Sequence, residues 1–230
     1  MKKLAIFVEG QTERLFIYKL IKEIAGNRQV AITQEQKIQG QNFTIIEAER
    51  ITDETKYYVL IRDCRNDDQV KTSIIEVAES LAKKRYEKII GLRDVYPKRH
   101  SEIPELQKWR NYRVPTKHLP INIMLAVMEI EAWFLAETSH FIRIDPRLTN
   151  DTIKTVLGGF DPTVNCVELR YHPAQDLDAI YHYAGFAYTK RKNNCLRTVD
   201  SLDYSALYLS LQNTIPCLGS FINEIDTFLA

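Results

Sequence analysis

The chain predicts an α/β protein: a mostly parallel sheet flanked by helices, followed by a helical C-terminal lobe. Three observations carry that expectation. Short apolar runs recur through the first 137 residues, each bounded by polar or turn residues. Segments with helical spacing of apolar residues lie between them, the alternation expected of βαβ units. After Glu137 the apolar runs stop and mixed helical stretches follow, which places a boundary between residues 1–137 and 138–230.

The elements follow in order. Lys3 to Val8 is a strand, and Thr12 to Ala25 carries Leu15, Phe16, Leu20, Ile21 and Ile24 on one helical face, closed by Gly26-Asn27. Val30 to Glu47 reads as two strands around Gln39-Gly40-Gln41. Lys56 to Arg62 is a buried strand. After Asp63 and Asn66-Asp67-Asp68, a helix runs from about Gln69 to Tyr86 with Val70, Ile74, Val77 and Leu81 inward. Ile89 to Arg93 is the next strand. A proline- and charge-rich excursion leads to the strand Ile121 to Val127, on whose end the helix EIEAWFLAE starts directly. In the lobe, helices are expected over Asn150–Leu157, Ala174–Ala187, Leu196–Leu211 and Ser220–Leu229.

Lys+Arg 31 against Asp+Glu 30 gives a net charge of +1, which excludes a bulk polycation but not a local basic patch. No apolar run approaches the roughly 20 residues that span a bilayer. The opening MKKLAIFVEG runs into Glu9 without a small-residue cleavage site, so it reads as a first strand of a cytoplasmic protein, with no membrane partner. Cys64, Cys166, Cys195 and Cys217 form no CxxC pair, against both a zinc site and a disulfide framework.

The chemistry lies in the strand ends. LAIFVE stops at Glu9, YYVLIRD at Asp63, KIIGLRD at Asp94, and INIMLAVMEIE at Glu129 and Glu131, four strands that end in acids. The carboxyl edge of an open α/β sheet is where ligands collect, and carboxylate oxygens suit Mg²⁺ or Mn²⁺. A single acid at a strand end is ordinarily a helix cap or a solvated group; the recurrence turns Glu9 and Asp94 toward function. Glu129 and Glu131 point to opposite sides if the strand continues, and about 200° apart if a helix has begun, so both do not serve one ion without a kink. Gly10, Thr12 and Glu13 open a helix whose N–H groups can hold a phosphate, although the bland reading of Glu13 is a first-turn acid that complements the helix dipole. Asp63 with Asp67-Asp68 reads as a loop and helix cap. Lys98-Arg99-His100 and Lys190-Arg191-Lys192 are basic runs suited to a phosphate backbone, or else solvated faces. His118, His140, His172 and His182 lack metal-ligand spacing and read as structural. No P-loop, GxGxxG or G-x-S-x-G occurs.

The blocks Val8-Glu9-Gly10-Gln11-Thr12-Glu13, Asp94-Val95-Tyr96-Pro97 and Glu129-Ile130-Glu131-Ala132-Trp133, with Tyr188-Thr189-Lys190 late in the chain, resemble a bacterial family of TOPRIM-like proteins, the domain of unknown function 4276 family. The resemblance covers most of the chain in order. It implies a TOPRIM-like (Rossmann-like) sheet, a metal-associated or acid/base Glu9, a metal ligand at Asp94, and a phosphate contact at Lys190. The second acid of the TOPRIM DxD is absent, because Tyr96 stands there, so Glu129 or Glu131 has to replace it. The expectation is a Mg²⁺- or Mn²⁺-dependent nuclease acting on nucleic acid. Relatives of this kind accompany an ATPase in bacterial defence or toxin-like systems. Two rivals stand beside it: a non-catalytic partner or scaffold subunit working with an ATPase, and a small-nucleotide phosphohydrolase. A homo-oligomer is left open.

Overall fold

The computed structural model describes residues 1–39, 42–66, 69–189 and 192–230. Among the described residues six strands form one sheet, β1 (Lys2–Val8), β2 (Val30–Lys37), β3 (Phe43–Ala48), β4 (Tyr57–Asp63), β5 (Lys88–Asp94) and β6 (Ile121–Ala126), in the order β3-β2-β4-β1-β5-β6. β1 pairs in parallel with β4 and β5, β2 pairs in parallel with β4, and β3 runs antiparallel against β2. The fold is therefore the mostly parallel α/β sheet flanked by helices that the alternation predicts.

The helices are α1 (Gln11–Ala25), α2 (Gln69–Lys83), α3 (Ile103–Trp109), α4 (Glu131–Ala136), α5 (Ser139–Ile144), α6 (Asn150–Val156), α7 (Pro173–Tyr183), α8 (Lys192–Ser201), α9 (Tyr204–Leu209) and α10 (Pro216–Leu229). Two compact units result. One comprises Met1–Arg93, Pro104–Leu125 and Phe221–Ala230; the other comprises Asp94–Ile103 and Ala126–Ser220. The sequence places its boundary near residue 137 instead, because composition cannot show that the last ten residues return to the first unit. There Lys88 pairs with Glu224 at 2.6 Å, Arg28 pairs with Asp226, and Phe228 meets the Tyr57 ring edge-on.

In the first unit, Ala5 and Phe7 of β1 join Leu60, Ile89, Ile123 and the α2 residues Val70, Ile74, Ala78 and Leu81 in one cluster. The alternate residues Leu4, Ile6 and Val8 are equally buried, so β1 is covered on both faces, as a central parallel strand must be. Gly91 on β5 is a close-approach glycine. A Cβ there would lie 2.8 Å from Ile74 Cδ1 and 3.3 Å from Ile123 Cγ1.

The second unit is helical. α4 and α6 pack on α7, and α5 packs on α8. Trp133, Phe134, Phe141, Leu177 and Tyr181 are fully buried. Two local expectations are corrected. α4 does not begin on the end of β6: Val127–Ile130 intervene, and Met128 adopts φ 61°. The helix expected over Leu196–Leu211 is broken at Asp203, whose side chain accepts the Ala206 N–H and starts α9 afresh. The expected turn at Gly40-Gln41, and Asp67-Asp68, lie outside the described residues. Among the described residues no helix is long and apolar enough to cross a membrane.

Candidate functional site

The chain leaves β1 for β2 on one side and β4 for β5 on the other. β5 continues to β6 on that second side, so the carboxyl ends of β1 and β5, adjacent strands whose connections diverge, flank the point where winding reverses, the place where open α/β sheets bind ligands. Glu9 follows β1 directly and Gly10 caps α1 in extended backbone. Thr12, Glu13 and Arg14 occupy the first turn of α1 and are all buried, as is Glu9. Glu9 and Glu13 each offer a carboxylate oxygen, and the two lie within 4.8 Å of one another. A Cβ on Gly10 would come 3.2 Å from Glu13 Oε2, so the glycine lets the backbone pass close to that carboxylate.

Two ionised carboxylates at such a separation are costly. With an effective dielectric near 20, charges 4.8 Å apart repel by about 3.5 kcal/mol. A proton or a cation shared between them removes that cost. Hard oxygen donors at a sheet edge are the donor set that Mg²⁺ or Mn²⁺ takes, so the residues fit such an ion. Asp94 is the last residue of β5, the strand beside β1 in the sheet, and is buried.

Asp63, at the end of β4, is held by structure. Its Oδ1 accepts the Arg65 N–H at 2.8 Å, its Oδ2 accepts Gln36 Nε2 at 2.9 Å, and Arg14 Nε lies 3.9 Å away. Gln34 Oε1 accepts from Arg14 as well. These bonds fix the first turn of α1 against β2 and β4. Cys64, next in sequence, is buried, and burial pushes its thiol up to about 12.

The remaining predicted acids sit in the second unit, where Asp94 Oδ1 accepts the Ile130 N–H at 3.1 Å. Glu129 Oε2 accepts two bonds, from His172 Nδ1 and from the Ala174 N–H, both at 2.8 Å. The second of these caps α7, whose first-turn N–H groups lack intrahelical partners. Glu131 Oε1 accepts the Tyr188 hydroxyl at 2.7 Å. Glu129 and Glu131 are thus drawn to different partners. Tyr96 stacks on the His172 ring, centroids 4.2 Å apart. His172, Ala174, Gln175, Asp178, Tyr188 and Thr189 line a cavity of about 200 Å³. The sequence marks His172 as structural, and nothing local identifies its partner, since Glu129 lies 43 residues away. Lys190 and Arg191 lie outside the described residues.

A buried polar chain also runs through this unit. His140 Nδ1 donates to the Glu137 carbonyl, and Tyr181 Oη lies 3.0 Å from His140 Nε2 and 2.9 Å from Thr198 Oγ1. Burial drives the His140 imidazole down to about 3, so it is neutral, and its 3.7 Å separation from the Glu137 carboxylate is not an ion pair. Burial also raises Glu137, against bonds from Ser139 and Asp203 and the charge of Arg143, which pull it down.

No protein-family model matches the chain, and no curated protein matches it. Among solved structures, one described as "the putative cell surface hydrolase from Lactobacillus plantarum WCFS1" is similar with a TM-score of 0.38 and 10% identity. The match covers 61% of this chain and 57% of that one, little more than half of each.

Proposed function

We propose that the protein is a Mg²⁺- or Mn²⁺-dependent phosphodiester hydrolase of TOPRIM type, a nuclease. The observation that carries the reading is the buried Glu9–Glu13 pair at the reversal point of the sheet, its carboxylate oxygens within 4.8 Å. Glu9 and Glu13 would hold the ion; Asp94 is the further ligand that the sequence blocks offer, and its variant tests that offer. Such an ion polarises a phosphoryl group and lowers the pKa of bound water. The chain's own residues do the rest. Gly10 gives room at the α1 N-terminus, whose N–H groups favour an anion. Arg14, Gln34 and Asp63 hold that turn in place, and the Ile130 N–H fixes the Asp94 carboxylate.

Plasmid, single-stranded DNA and tRNA incubated with Mg²⁺ or Mn²⁺ test the reading against Glu9→Gln and Asp94→Asn. Metal-dependent cleavage lost in both variants supports it. Cleavage that persists equally in both sinks it.

A second reading, the non-catalytic scaffold working with an ATPase, gains from the hydrogen bonds of Glu129 and Glu131 to His172, Ala174 and Tyr188. These give both acids structural work and leave the missing DxD acid without an evident substitute. Absence of metal uptake in calorimetry favours this reading.

A further inference from the structure

We infer that the loop ending α3 is a stacking platform for single-stranded nucleic acid. Trp109 and Tyr112 are 45% and 49% exposed although both are large aromatics. Their rings meet edge to face with centroids 4.8 Å apart. Lys108 Nζ lies 5.6 Å from the Trp109 ring, and the Arg113 guanidinium lies 5.2 Å from the Tyr112 ring. Between Leu106 and His118 the sequence holds Lys108, Arg110, Arg113 and Lys117 and no acid. Glu79 of α2 acts electrostatically on Lys117 and His118, so the cations left for a ligand are Lys108, Arg110 and Arg113.

The platform is anchored from beneath. Val114 and Leu119 are buried in the core beside α2 and β6, and Asn111 Oδ1 accepts the Ile123 N–H at 3.1 Å. The Trp109 carbonyl accepts Lys71 Nζ at 2.9 Å, which ties the end of α3 to the first turn of α2. Two rings held outward among cations offer base faces a surface and phosphates a counter-charge, the combination by which single strands are bound without sequence readout. A duplex offers this surface little, because its base faces are already stacked. DNA and RNA strands share the chemistry. Calling the strand a substrate rests on the proposed nuclease activity; the binding does not, and it is measured without metal.

Tryptophan emission reads the platform directly, because the chain has two tryptophans and the other, Trp133, is fully buried. Oligo(dT) and oligo(U) of about 20 nucleotides, titrated in EDTA, are expected to quench emission and to bind more tightly than a duplex of the same length. Trp109→Leu should abolish the quenching, with Trp133 emission reporting that the fold is kept. Tyr112→Leu should weaken binding by about ten-fold, and Arg113→Ala should lower the salt slope by about one. Quenching absent with both strands, an affinity unchanged in Trp109→Leu, a preference for duplex, or a polyglutamate peptide binding as tightly as the strands would each overturn the inference; the last would assign the surface to an acidic protein partner. Binding without cleavage in Mg²⁺ would reject the nuclease reading alone, and cleavage without binding at Trp109 would reject this one.

Discussion

Acidification should destabilise the protein through His140, and the size of the effect follows from its surroundings. The imidazole is fully buried, spends Nδ1–H on the Glu137 carbonyl, and lies against Tyr181. Burial holds its folded pKa down at about 3, against the ordinary histidine value of 6.5. Above pH 6.5 the ring is neutral in both states and no cost arises. Below it the unfolded chain takes up a proton that the folded chain refuses, so stability falls as pH falls, down to about pH 3. By linkage the loss reaches about 2 kcal/mol at pH 5. Glu137 works the other way, since its raised pKa makes the folded chain the better proton acceptor as pH falls through that value. Urea denaturation at pH 8 and pH 5, for the native chain and for His140→Gln, isolates the histidine. The variant starts less stable because it gives up a buried hydrogen-bonded ring, yet it should lose about 2 kcal/mol less on acidification. Parallel pH curves for the two proteins would refute the reasoning, as would an NMR titration of His140 near 6.5.

Three further outcomes follow from the packing and the hydrogen bonds. Tyr188→Phe removes the hydroxyl that Glu131 accepts at 2.7 Å, and should lower stability by about 1.5–3 kcal/mol in denaturant titration, the usual range for a hydrogen bond to a charged group. Gly91→Ala forces a methyl against Ile74, Val70 and Ile123 and should cost about 1–3 kcal/mol, with a fall in Tm as the readout. Toward a thiol reagent at pH 8, exposed Cys166 should react quickly, while Cys64, buried with its thiol raised to about 12, should react only on unfolding.

The strands were legible because a buried strand is a short, mostly apolar run: β1, β4 and β5 carry unbroken apolar stretches, and Asn122 alone interrupts β6. The edge strand β3 was legible from its pattern, but its antiparallel pairing with β2 is a tertiary fact. Local chemistry misled where a single residue redirects the backbone. Met128 at positive φ separates β6 from α4, and the Asp203 cap interrupts what reads as one long helix. At the site, Glu9 and Asp94 stand out in the sequence as acids at strand ends, whereas Glu13 reads as a first-turn acid beside a phosphate or the helix dipole, and its approach to Glu9 is a tertiary fact. The partners of Glu129 and Glu131 were not, because His172, Ala174 and Tyr188 are brought to them by chain folding over more than forty residues. Trp109 and Tyr112 lay in a stretch that sequence marks only as proline- and charge-rich; exposure, which the sequence does not display, is what sets them apart.

Calorimetric titration of Mn²⁺ into the native chain, Glu9→Gln and Asp94→Asn tests the central claim most directly. The account predicts saturable uptake by the native chain, and stabilisation of about 2.7 kcal/mol when the ion stands at a hundred times its Kd. Both variants should lose that uptake. No uptake by the native chain, or equal uptake by all three proteins, would contradict it.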